Sequence, residues 1–241
     1  MNLIPHDNIS RHIHSLDIPW LEHNLNLSGK KPVAVFDIDS TIMDTAPRNY
    51  QILKAAVSKF PFLKTAFSKI QHEDIGWNIL HSLDPENRLS RERREKIHFF
   101  WKERFFQNEW LKHDSPYRGI IDILNWLLQN HITLVYLTGR DEPNMKDGTM
   151  QSFRDHGLPV EGDVHFFFKP DFDMDDLGYK ESVFSHISLL GQVILAVENE
   201  PKNANAMANA FPDAEIALIR TVTTPDPEIP DSRIWIFDRY G

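Results

Sequence analysis

Apolar positions in this chain fall into two patterns. Val33-Ala34-Val35-Phe36, Ile132 to Leu137, Val164 to Phe168, Val193 to Val197 and Ile216 to Ile219 are short, mostly apolar runs. Unbroken runs of that length predict strands covered on both faces, as in a parallel sheet between helices. Between them the spacing turns helical, with Ile120, Ile121, Leu124, Leu127 and Leu128 on one face and further helices over about 149–156, 181–190 and 201–210. A Pro-rich turn at 225–230 precedes Ile234 to Phe237, which predicts an added edge strand. Strands alternating with helices predict an α/β fold: a Rossmann-like, three-layer α/β/α parallel sheet with right-handed crossovers.

Residues 46–114 break that rhythm. Thr45-Ala46-Pro47 marks a helix start, with proline where a missing N–H costs little. Helical stripes follow in Tyr50, Leu53 and Val57, in Phe62, Ala66, Phe67 and Ile70, and in Ile75, Ile79, Leu80 and Leu83. Ser90 caps a last helix whose stripe is Ile97, Phe100, Trp101, Arg104 and Phe105. The expected division is an α/β core of residues 1–45 and 115–241, with 46–114 inserted as an all-helical cap. Residues 1–31 are polar, and Asp17-Ile18-Pro19-Trp20 predicts a short helix.

Composition narrows the function classes. The 241 residues carry a formal net charge of −9, without a long Lys or Arg run, which argues against general nucleic-acid binding. There is no cysteine, so disulfides, thiolate nucleophiles and zinc–thiolate sites are excluded. Met1 to Asp7 lacks the basic-then-apolar layout of a signal peptide, and no apolar run approaches a membrane span. A cytoplasmic protein with no membrane partner is expected; oligomeric state is open.

The polar signatures sit just after strands. Asp37, Asp39 and Thr41 follow the first strand, and residues i and i+2 point the same way, so the two carboxylates address one site. Their mutual repulsion calls for a cation or for protonation of one partner. Thr138-Gly139-Arg140 follows the second strand and offers a hydroxyl and free N–H groups, an anion site if a helix starts there. Glu198-Asn199-Glu200 follows a later strand. Loops at the C-terminal edge of a parallel sheet converge, so one pocket can hold all three.

In order and spacing these segments resemble the haloacid dehalogenase superfamily, specifically its aspartate-based phosphatases with a helical cap after the first motif. Asp37-Ile38-Asp39-Ser40-Thr41 matches its Asp-x-Asp-x-Thr motif, Thr138 the second, Lys180 the third and Glu198-Asn199-Glu200 the acidic fourth, over about residues 32–222. The fourth motif is more usually built on Asp. The resemblance implies a Mg²⁺-dependent phosphomonoesterase acting on a small phosphorylated metabolite through an aspartyl-phosphate. Asp37 would be the nucleophile and Asp39 the general acid and base. Thr138, Gly139 and Lys180 would hold the phosphoryl oxygens, with Lys180 also offsetting charge. The metal would be held by Asp37, the Asp39 carbonyl and Glu198 or Asn199, with Glu200 or Asn203 assisting. Alternatives are phosphoryl transfer between metabolites, removal of a terminal phosphate from a nucleotide or nucleic-acid end, and a silent member that binds a phosphorylated ligand.

Other features have plainer readings. Lys169, the alternative third-motif lysine, reads as a loop charge. Asp171 to Asp176 is like a calcium loop but lacks its Gly and terminal Glu. His12 and His14 read as a solvated pair, and Arg91, Arg93, Arg94 and Lys96 as an exposed face. Arg48 is a candidate for substrate contact.

Overall fold

The computed structural model describes residues 11–28, 30–71 and 74–241. The reading of Met1 to Asp7 lies outside these residues. Among the described residues, nine strands and nine α-helices follow in order: β1 (His12–Leu16), α1 (Ile18–Asn24), β2 (Pro32–Phe36), β3 (Met43–Asp44), α2 (Ala46–Lys59), α3 (Lys64–Phe67), α4 (Ile79–Leu83), α5 (Arg91–Phe105), β4 (Ser115–Pro116), α6 (Ile120–Gln129), β5 (Thr133–Asp141), α7 (Glu142–Asp155), β6 (Val164–Lys169), α8 (Asp176–Leu190), β7 (Gln192–Glu198), α9 (Pro201–Ala210), β8 (Glu215–Ile219) and β9 (Trp235–Tyr240). Seven strands form one sheet in the order β1-β9-β8-β7-β2-β5-β6, and every pairing in it is parallel.

The alternation along β2 explains the three layers. Ala34 and Phe36 join one buried cluster with Leu21, Ile120, Leu124, Leu127 and Phe153, which come from α1, α6 and α7. Val33 and Val35 face a second, with Tyr179, Phe184, Ile187, Ala204 and Met207 from α8 and α9. Val33, Ala34, Val35 and Phe36 are wholly buried, as a covered parallel strand requires. This is the Rossmann-like α/β/α architecture.

Four elements differ from expectation. His12-Ile13-His14-Ser15-Leu16 is a strand on the sheet's rim, paired with β9. The 234–237 segment is therefore flanked on both sides and is not an edge. His12 and His14 both meet Asp238, at 2.9 and 3.3 Å. Finally, α7 and α8 start earlier than the apolar spacing indicated, at Glu142 and Asp176, each capped by an Asp that accepts a backbone N–H.

The helical block has its own apolar cluster, in which Ile52, Leu53, Leu63, Ile79, Leu83, Ile97 and Phe100 are buried. Only Ile97 and Phe100 of α5 are buried, so its stripe is narrower than the spacing indicated. Two chain crossings join the block to the sheet, β3 on the way out and β4 on the way back, and they pair antiparallel.

Candidate active site

The register of the central strands builds the site. Phe36 lies opposite Tyr136 of β5 and Val197 of β7. One residue further, Asp37 is level with the ends of both neighbours, and its N–H donates to the Val197 carbonyl at 3.0 Å. The chain then turns tightly: the amides of Thr41, Ile42 and Met43 all donate to the Ile38 carbonyl, and Ser40 takes a positive φ of 59°. That turn brings Thr41 back beneath Asp37, where its hydroxyl lies 3.0 Å from both Asp37 Oδ2 and Asn199 Oδ1. One hydroxyl proton serves one of these oxygens at a time.

Lys180 lies one turn inside α8, with its ammonium 2.7 Å from Asp37 Oδ1 and 2.5 Å from Glu198 Oε1. All three side chains are buried, so the group carries a net charge of −1 away from water. Burial, and next the charge of Glu198, push Asp37 up to about 7 against the pull of Lys180. Lys180 is held above its ordinary value: burial opposes its charge, and Asp37 and Glu198 outweigh that. Glu198 also accepts from the amides of Asn199 and Glu200 and from Asn203 Nδ2. Its carboxylate is fully engaged. Asn199 Nδ2 donates to the Val222 carbonyl at 2.6 Å, and its oxygen meets the Thr41 hydroxyl. Glu200 is occupied elsewhere, accepting from the amide and hydroxyl of Thr224.

Asp39 faces the other way. Its Oδ1 accepts from Arg48 Nη2 at 2.6 Å and Arg140 Nη2 at 2.8 Å, and its Oδ2 from Arg140 Nε at 3.0 Å. Burial alone would raise its pKa, but Arg140 and then Arg48 hold it well below the usual carboxylate range. Arg48, the candidate for substrate contact, is wholly buried, and its guanidinium is engaged by Asp39 and the Phe105 carbonyl.

Thr138, Gly139 and Arg140 belong to a bulge in β5: Leu137 pairs with Phe167 and Asp141 with Lys169, so the intervening stretch is longer on β5. The bulge moves the helix start to Glu142 and places the carboxylate of Asp141 at its N-cap. The expected free N–H groups at Thr138-Gly139 are therefore not a helix N-terminus. Thr138 is wholly buried and its hydroxyl accepts from Arg140 N at 3.1 Å.

Lys169 is drawn away from this centre, bonding Asp176 at 2.6 Å and the Met174 carbonyl at 2.9 Å. The acidic run 171–176 is spent on local turns: Asp171 accepts from Asp173 N, and Asp175 caps α8. Among the described residues no group of three or more His, Cys, Asp or Glu is arranged to hold a metal. A cavity of about 1070 Å³ lies beside the centre, between the 74–82 segment and the ends of β8 and β9, but none of Asp37, Asp39, Thr138, Lys180 or Glu198 lines it.

A family model described as haloacid dehalogenase-like hydrolase matches residues 34–157, just over half of the chain. The chain belongs to the haloacid dehalogenase-like hydrolase family. Solved structures agree on the fold. A candidate phosphatase from Clostridium difficile superposes with a TM-score of 0.59 at 11% identity, covering 86% of this chain and 94% of that one. A haloacid dehalogenase-like hydrolase from Streptococcus pneumoniae gives 0.52 at 11% identity, covering 86% and 93%. One named likewise from Burkholderia xenovorans LB400 gives 0.52 at 16%, covering 87% and 95%. No curated protein matches the chain by sequence. No helix among the described residues is long and apolar enough to cross a membrane.

Two residues of this hydrolase's site carried no usable sign in the sequence. Asp114 precedes Ser115-Pro116 and reads as a loop acid, yet it is buried between Arg48 and Arg140. Arg140 reads as an ordinary turn residue after Thr138-Gly139, yet it is only 1% exposed.

Proposed function

We infer that this hydrolase is a Mg²⁺-dependent phosphomonoesterase acting on a small phosphorylated metabolite, with Asp37 as nucleophile. The observation that carries the reading is the buried Asp37–Lys180–Glu198 group, whose excess negative charge suits a site built to receive a cation and a phosphate. The ligand set fits Mg²⁺, which is hard, prefers oxygen and keeps several waters. Asp37, the Asp39 main-chain carbonyl and the Asn199 side-chain oxygen would hold it. Glu198 leaves that set, because its oxygens are taken by Lys180, two amides and Asn203. When bound, the metal supplies positive charge that offsets repulsion between the nucleophile and the phosphate.

Asp37 Oδ attacks phosphorus, and the bond to the leaving oxygen breaks as that oxygen takes a proton from Asp39, which the negative charge of the bound phosphate raises from its low resting value. Water then attacks the aspartyl-phosphate, giving its proton to Asp39 and returning the electron pair to Asp37. Lys180 aims Asp37 and, with Thr138, stabilises the phosphoryl oxygens. The helical block over 46–114 acts as the cap that selects the substrate and excludes water.

The test is hydrolysis of an aryl phosphate with Mg²⁺ and with EDTA, by wild type and by Asp37→Asn shown to be folded. Metal-dependent turnover that disappears in Asp37→Asn is expected. Turnover that survives in the variant would remove Asp37 from the mechanism. Absence of both turnover and Mg²⁺ binding would point to the silent phospholigand-binding alternative.

A further inference from the structure

Three buried charges beside Asp39 take no part in the steps above. Arg140 turns the Nε–Nη2 edge of its guanidinium to both oxygens of Asp39, at 3.0 and 2.8 Å. From behind, Asp114 Oδ2 accepts from Arg140 Nη2 at 2.7 Å, and Thr149 Oγ1 accepts from Nη1 at 2.9 Å. The Thr149 hydroxyl is itself anchored, donating to the Met145 carbonyl at 2.7 Å. Arg48 completes the ring. It bonds Asp39 Oδ1, donates to the Phe105 carbonyl at 2.9 Å, and stacks with its guanidinium carbon 3.8 Å from the Phe105 ring centre. Its Nε lies 2.9 Å from Asp114 Oδ1, close enough for charge attraction, although neither atom makes an aligned hydrogen bond.

Exposure separates the members of this ring. The side chains of Arg48, Arg140 and Asp114 are wholly buried, whereas that of Asp39 is 32% exposed. A partly exposed Asp carboxylate would ordinarily rotate; three donors on two oxygens hold this one in a single orientation. Stability is a weak reason for such a cluster, because desolvation of buried ions cancels much of their attraction. A planar fork on a carboxylate gives direction instead.

We propose that Arg140, braced by Asp114 and Thr149 and joined by Arg48, is a positioning residue that fixes the Asp39 carboxylate for its proton transfers. The proposal rests on the phosphohydrolase reading. The step it serves most directly is release of the aspartyl-phosphate: a water O–H bond breaks with its proton passing to Asp39, the water oxygen bonds phosphorus, and the phosphorus–Asp37 bond breaks. Arg48 sits just after the β3 crossing and Asp114 just before β4, so the clamp stands where the helical block joins the sheet.

If Arg140 acts through Asp39, its loss is silent once Asp39 is gone. The experiment compares Arg140→Lys in wild type and in Asp39→Asn, by single-turnover hydrolysis of an aryl phosphate with excess enzyme and Mg²⁺, scaled to the folded fraction. Lysine keeps the charge that Asp114 needs and loses the fork. A loss of roughly 10- to 100-fold is expected in wild type and less than about threefold in Asp39→Asn. Asp114→Asn follows the same protocol should Arg140→Lys not fold. No loss in wild type, or an equal loss in both backgrounds, overturns the proposal while leaving the phosphohydrolase reading intact. A wild type that cleaves no phosphate ester sinks both.

Discussion

Asp37 shares a buried space with one ammonium and a second carboxylate, whereas Asp39, two residues on, faces two guanidiniums. The backbone turn at 38–43 separates them, sending one toward α8 and β7 and the other toward the helical block. The difference teaches how one strand end can run two kinds of chemistry. Asp37 is pushed up to about 7 and lies where charge is in excess; Asp39 is held low by Arg140 and Arg48. In the proposed reading, Asp39 held low is suited to take the proton of the attacking water, while Asp37 needs the positive charge of Lys180 and a bound cation to attack as the carboxylate. The Asp37 side has room for a cation in charge terms. The Asp39 side is already balanced, with two arginines against Asp39 and Asp114.

The largest effect that tests this contrast is catalytic. Asp37→Asn is expected to lower turnover of an aryl phosphate by at least ~10³-fold, since the bond-forming oxygen is changed. Next is the clamp itself: Asp114→Ala leaves two buried arginines with Asp39 as their single anionic partner and is expected to destabilise the fold by ~3–5 kcal/mol in urea titration. A shift within ~1 kcal/mol would mean that the guanidiniums find water instead.

Stability against pH then separates the two aspartates by sign. Asp37 is raised when folded, so between about pH 4 and 7 the folded chain holds a proton that the unfolded chain gives up. Its contribution therefore falls as pH rises through that window. Metal-free Asp37→Asn should melt above wild type at pH 8, and the gap should close toward pH 4. Asp39 is lowered, so its contribution is present above the unfolded carboxylate range and is lost as pH falls below it. Asp39→Asn should accordingly melt below wild type at pH 8, with the gap narrowing on acidification. Two substitutions of the same chemistry with the same sign would break the contrast.

The join between the helical block and the sheet gives a smaller effect. A methyl group at Gly148 would stand 2.4 Å from the Asn108 carbonyl oxygen, where α7 packs on the turn before β4. Gly148→Ala is expected to destabilise by ~1–3 kcal/mol through overpacking. Smallest of all, removing the exposed Arg91–Glu95 or Glu92–Lys96 pair on α5 should change stability by less than ~0.5 kcal/mol.

Much of the core was legible because buried parallel strands leave unbroken apolar runs, and the order of polar residues after them carried the family resemblance. The rim strand β1 was not, since His12-Ile13-His14-Ser15-Leu16 is half polar and shows nothing of the β9 partner more than two hundred residues away. The start of α7 was missed because Asp141 and Pro143 shape it before any apolar stripe begins. Asp37, Lys180 and Glu198 could be paired in advance, for each stands in a motif. The ring of Arg48, Asp114 and Arg140 could not. Its members lie in three segments, and a sequence gives no sign that a charged side chain will be buried until its partner is known.

The claim on which the account turns is that Asp37 becomes phosphorylated. Borohydride reduces an acyl phosphate to an alcohol, so quenching turnover of an aryl phosphate with borohydride and mapping peptides by mass should show reduction at Asp37. The account expects that change only with Mg²⁺ and substrate present, and not in Asp37→Asn. Steady turnover with Asp37 unmodified, or reduction at another carboxylate, would contradict it.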